Sequence, residues 1–136
     1  MPAPVSAVYE TFPDAAQRLL LNLRDLIFEE AAANPNIGLI YETLKWNEPA
    51  YLTESPRSGT TIRLCWKAKM PDQSALYVPC QTNLVDQWKD LYGSTFRFSG
   101  QRAILFDHNE PPPKDAIRHC IAMALTYHLK PKTSSY

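Results

Sequence analysis

No stretch of this 136-residue chain approaches the roughly 20 consecutive apolar residues that cross a bilayer. Its opening, MPAPVSAVYE, lacks the basic start and apolar core of a secretory signal. Together these absences point to a cytoplasmic protein without a membrane partner. Net charge is also missing: 14 basic and 14 acidic side chains cancel. The long-range field that would draw the molecule to nucleic acid is therefore absent, and any charged binding surface must be local. Cysteine is scarce, and Cys65, Cys80 and Cys120 form an odd set with no C-x-x-C spacing. That argues against a disulfide framework or a zinc ribbon, and all three read as reduced thiols. There is no G-x-S-x-G, no P-loop, no H-E-x-x-H and no dinucleotide fingerprint, so the balance falls on binding rather than catalysis.

What is present suits one compact domain over residues 1–136, since 45% hydrophobic residues suffice for one core at this length. Thr11, Pro13 and Asp14 predict the start of a helix running to about Ala33, and Ser6 to Glu10 suits a shorter helical turn before it. Ala16, Leu20, Leu23, Ile27 and Ala31 give that long helix an apolar stripe, and Asn34-Pro35 stops it. A second stripe at Ile117, Cys120, Ile121, Ala124, Leu125 and His128 follows Pro111-Pro112-Pro113 and Asp115. Leu84, Val85, Trp88 and Leu91 mark a third helix, ended by Gly93.

Between these helices the period changes to two. Tyr41 to Trp46 reads as a strand with Leu44 and Trp46 on its inner side, followed by a turn at Asn47-Glu48-Pro49 and a new strand from Tyr51. Ser55 to Gly59 reads as a surface loop. Thr60 to Lys69 is the clearest strand: Ile62, Leu64, Trp66 and Ala68 alternate with Arg63, Cys65 and Lys67. Ala75 to Val78 is its hairpin partner, and strands near Thr95–Phe98 and Arg102–Phe106 flank Gly100. The expected class is α+β: an antiparallel sheet with the N- and C-terminal helices packed on one face and the other face open. The fold should occupy about residues 4–129, with residues 130–136 as a disordered tail.

Several segments together resemble the YdhG-like family, a domain of unknown function. They are Val5 and Tyr9 before Pro13, "LRDLIFEEAA" from Leu23, "ETLKWNEPAY" from Glu42, and "SGQRAILFDHNEPPPKDAIRH" from Ser99. Family members often carry glycine after the tryptophan, where this chain has Asn47, a residue that tolerates the same left-handed turn. Trp66 to Met70 and Tyr77 to Cys80 depart from the family pattern. The resemblance implies a frataxin-like arrangement and no general reaction. One branch is regarded as an intracellular iron chaperone, which would make the exposed carboxylates of Asp25, Glu29 and Glu30 an iron surface, because hard cations prefer oxygen ligands.

The residues themselves favour non-catalytic binding of a small anionic ligand or protein partner through a cleft or open sheet face bounded by Trp46, Tyr51, Arg63, Trp66 and Arg97. Arginine forks beside aromatic rings suit phosphate or carboxylate. Plain solvent-facing surface is the alternative for the basic strand face and for the acidic helix face alike. An enzyme acting on a small anionic metabolite would use Cys65 or one of His108, His119 and His128, none of which has a facing ligand or base by spacing. A homodimer through Trp66 or Tyr77 on the open face is a further option.

Overall fold

The structure is a computed structural model that describes residues 1–129. The tail expected to be disordered, 130–136, lies outside the described residues. Among them, no helix is long and apolar enough to cross a membrane. In chain order the elements are α1 (Ala3–Glu10), α2 (Asp14–Ala33), β1 (Leu39–Lys45), β2 (Glu48–Glu54), β3 (Ile62–Trp66), β4 (Gln73–Tyr77), a 3-10 turn (Cys80–Thr82), α3 (Leu84–Tyr92), β5 (Arg97–Ser99), β6 (Ala103–Asp107) and α4 (Lys114–Leu125). All six strands join one antiparallel sheet in the order β1-β2-β3-β4-β6-β5. This is the α+β class expected from the change of period.

The stripes account for the layers. Leu20, Leu23 and Ile27 of α2 and Ile117, Ile121 and Leu125 of α4 form one core with Tyr51, Ile62, Leu64, Leu76 and Ile104 from alternate positions of the strands. Alternation then sends Arg63, Cys65, Ala75, Tyr77 and Arg97 to the side without helices. Gly100, at φ +55 in the three-residue loop between Ser99 and Ala103, takes the left-handed conformation that only glycine adopts freely.

Two expectations need correction. The strand through Trp46 ends one residue earlier. Lys45 pairs with Glu48, and Trp46 and Asn47 form a two-residue turn with φ of 54° and 61°. Positive φ at both central residues makes a type I′ hairpin, whose twist matches its strands. Asn47 is left-handed as expected, but Trp46 is 86% exposed rather than in the core. Pro49 lies inside β2, where pairing to β3 has ceased, so its missing N–H removes no ladder bond.

The second correction concerns the loop after β2. Ser55, Pro56 and Arg57 are exposed, but Ser58, Gly59 and Thr60 are buried. The Ser58 hydroxyl donates to the Leu125 carbonyl at 2.8 Å and accepts from the Gly38 amide at 3.1 Å. The amides of Thr60 and His128 donate to Ala124 O and Ser58 O. Helix α4 leaves carbonyls without intrahelical partners at its C-terminus, and this loop is held in place by satisfying them.

Candidate functional site

The five residues nominated from sequence do not share a site. Arg63 does project from the helix-free face, where its guanidinium lies 5.1 Å from the Tyr77 ring centre. Its charge, however, is taken by Glu48 at 2.5 Å. Arg97 is on the same face but on the far edge strand, separated from β3 by β4 and β6. Trp66 shares the parity of Ile62 and Leu64, packs 6.0 Å from Phe12 on the helix side and donates its indole N–H to Pro71 O. Trp46 and Trp66 do meet, with Phe12 and Glu48, around a groove of about 430 Å3 at the hairpin tip.

Tyr51 was expected to reach a ligand or partner. It is 0% exposed. Its hydroxyl donates to Glu42 Oε2 at 2.9 Å and lies 2.5 Å from the Tyr9 hydroxyl. Arg24 of α2 holds the same carboxylate through Nε at 2.5 Å and Nη2 at 2.9 Å. Burial pushes the Glu42 carboxyl up, but the bonds from Arg24 and Tyr51 outweigh it, and its pKa falls below the usual value. The Tyr51 and Tyr9 phenols are raised well above theirs, chiefly by burial. This network ties α1, α2, β1 and β2 together. Glu42, near the acidic residues noted in the sequence, is therefore structural.

The chemistry of the other candidates is also constrained. Cys65 donates to Glu48 Oε2 at 3.0 Å, and burial, followed by that bond, pushes its thiol up to about 12. Burial does the same to Cys120, while Cys80 is exposed. At neutral pH the buried thiols hold about a thousandfold less thiolate than a free cysteine. Ellman's reagent should accordingly titrate Cys80 promptly in the native protein, and Cys65 and Cys120 only after denaturation. Prompt reaction of Cys65 would restore it as a nucleophile.

Sequence spacing did not reveal a serine–histidine pair. Ser74 Oγ lies 2.8 Å from His108 Nε2. Burial holds the imidazole below its ordinary pKa, against the pull of Asp107 and Asp72. A nucleophile must reach substrate, and Ser74 is only 2% exposed. Together with the His108 N–H bond to Asp72 O, the pair fastens the segment after β6 to the β3–β4 turn. His119 is instead bonded to the Tyr92 hydroxyl at 2.6 Å. On α2, Glu29 and Glu30 both accept from Arg118 of α4, at 2.7 and 3.2 Å, which removes two of the three nominated carboxylates from a free acidic surface. Among the described residues no cluster of three or more His, Cys, Asp or Glu side chains could hold a metal ion.

A further cavity lies where no single segment pointed. A cleft of about 630 Å3 opens between the β1–β2 hairpin, the loop from β2 into β3 and the residues after α4. Lys45 and Glu54 border it from the β1–β2 hairpin, Arg57, Thr60 and Thr61 from the loop into β3, and His128 from beyond α4. His128 was expected to prolong the stripe of α4. The helix ends at Leu125, which turns His128 out to the exposed rim. Ser55, also at the rim, has φ +52°, a conformation costly for a residue with a Cβ and concentrated in proteins at binding sites. Among the described residues, Lys45, Arg57 and His128 form no ion pair.

The fold and cleft thus define a two-layer α+β domain with an open sheet face and a polar, cation-lined recess. In comparisons with known proteins, no family model and no curated protein matches the chain.

Proposed function

We propose that this chain is a cytoplasmic, non-catalytic binding domain that takes a small anionic metabolite, carrying phosphate or carboxylate, in the cleft beside Arg57 and His128. The observation that carries this reading is the 630 Å3 recess in which the cations of Lys45 and Arg57, with no ion pair among the described residues, lie with the His128 imidazole about a single carboxylate, Glu54. Guanidinium and imidazole donors fit anionic oxygens, and the hydroxyls of Thr60 and Thr61 can complete the shell. The YdhG-like resemblance is compatible with this reading, since it implies no reaction of its own. The burial of Ser74 and of the Cys65 thiol supports binding over catalysis. An iron-chaperone role finds less support, because Arg118 engages Glu29 and Glu30.

A thermal-shift screen of phosphorylated and carboxylated metabolites tests the proposal. A hit should weaken by about tenfold or more in Arg57→Ala, as expected for loss of a charge-assisted hydrogen bond. Arg97→Ala should leave binding unchanged, because Arg97 lies at the opposite edge of the sheet. Binding that survives Arg57→Ala together with His128→Ala would remove the site.

A further inference from the structure

The two edges of the sheet are unlike. β5, at one edge, is three residues long and exposes Arg97 and Ser99. β1, at the other, is seven residues long, and its helix-free side presents Leu39 at 76% and Tyr41 at 52% exposure. Long apolar edges are what soluble proteins avoid unless the edge is paired, because unsatisfied N–H and C=O groups there template another strand.

The register identifies those groups. Lys45 and Glu48 close a two-residue turn and so form a hydrogen-bonded pair. By alternation, Leu39, Tyr41, Thr43 and Lys45 direct their backbone groups to β2, while those of Ile40, Glu42 and Leu44 face outward. Among the described residues no turn, loop or cap bond engages the outward groups.

We propose that β1 pairs antiparallel with β1 of a second copy of this chain, about a two-fold axis at Glu42, joining two six-stranded sheets into one. A self-pairing edge is isologous, and this one is complementary to itself. With Glu42 on the axis, Ile40 of each copy faces Leu44 of the other on the helix side, and Tyr41 faces Thr43 on the open side. Lys45 falls beside Leu39 of the other copy, whose neighbour on β2 is Glu54. Lys45 and Glu54 form no ion pair within one chain among the described residues, and the two-fold brings them together twice, which leaves Arg57 and His128 to face the anion in the cleft. The two Glu42 side chains do not meet as free charges, because each is held by its own Arg24 and Tyr51. The dimer thus uses the hairpin edge rather than the open sheet face, where Tyr77 lies and Trp66, turned to the helix side, does not.

The proposal goes beyond ligand binding and is tested by mass. Sedimentation equilibrium of the whole chain should give twice the 15.5 kDa monomer mass. An interface of this modest extent should have a dissociation constant on the order of 10 μM. The double variant Leu39→Lys with Tyr41→Lys should be monomeric with an unchanged far-UV circular dichroism spectrum, since both side chains lie outside the core. Lys45→Glu alone should weaken the dimer by about tenfold through like-charge contacts, and adding Glu54→Lys should restore it. A wild-type protein that stays monomeric at about fifty times that dissociation constant, a concentration that dimerises most of any such pair, overturns the proposal. So does a dimer that persists in the double lysine variant, and failure of the charge swap to restore association overturns the Glu42-centred register.

Discussion

Glu42→Ala should destabilise the protein by about 3–5 kcal/mol, as removing one member of a buried ion pair does. The loss exceeds that of an ordinary surface glutamate because two other groups, Arg24 and Tyr51, depend on this carboxylate through three hydrogen bonds. Arg24 would keep its charge with only Asp25 nearby, at 4.0 Å, and the Tyr51 hydroxyl would lose its acceptor in a site with no solvent access. Tyr51→Phe removes a single hydroxyl and should cost about 1–2 kcal/mol. The double variant Glu42→Leu with Arg24→Met should recover much of the loss, because neither charge is then stranded. Urea unfolding of the variants measures these differences, and a Glu42→Ala cost below that of Tyr51→Phe would show that the network contributes little. The pH dependence has a definite sign. Glu42 has a folded pKa below its unfolded value, so its contribution is present above the ordinary carboxylate range and is lost as pH falls through the depressed folded value. Glu42→Gln should flatten that acid limb.

Gly59→Ala should be comparably severe. A Cβ there would sit 2.5 Å from both the Ala124 carbonyl oxygen and the Leu125 Cα, which are backbone atoms of α4 that cannot rotate away. Either the loop or the helix end must move, breaking the Thr60 and Ser58 bonds to α4 described above, at a cost of about 3 kcal/mol or more. Gly100→Ala is the control. Gly100 has φ +55 but nothing within 4 Å of the added methyl, so only conformational strain of about 1–2 kcal/mol applies. Because the loop carries Arg57 and Thr60 into the cleft, Gly59→Ala should also abolish anion binding, whereas Gly100→Ala should not. Equal costs for the two substitutions would refute close packing of the loop on α4.

Much of the fold was legible because periodicity reports which face of an element is buried. Ala16 to Ile27 and Ile117 to Leu125 repeat at helical spacing, Ile62 and Leu64 alternate with Arg63 and Cys65, and each set faces as its spacing indicates. Asn47 was legible as a left-handed residue for a local steric reason. Periodicity could not place the reversal between Lys45 and Glu48, since a bulky Trp46 at positive φ runs against turn preference and only the pairing of β1 with β2 selects it.

The candidate site was less legible. Arg63 is on the face the sequence indicated, but its charge is neutralised by Glu48, fifteen positions away. Tyr51 is buried because Glu42 and Tyr9, nine and 42 positions distant, give its hydroxyl partners inside. No spacing rule links Lys45, Arg57 and His128, which belong to a strand end, a loop and a helix exit.

By itself, then, the sequence determined the element types, the inward faces of both long helices and of β3, and the α+β class, because each follows from local backbone preference and the burial of apolar side chains. Tertiary structure alone decided which polar groups neutralise one another, which half of the loop after β2 is buried, and where the cations gather. Those outcomes depend on strand order and on the docking of α4, and electrostatic pairing acts through space between residues that the chain keeps far apart.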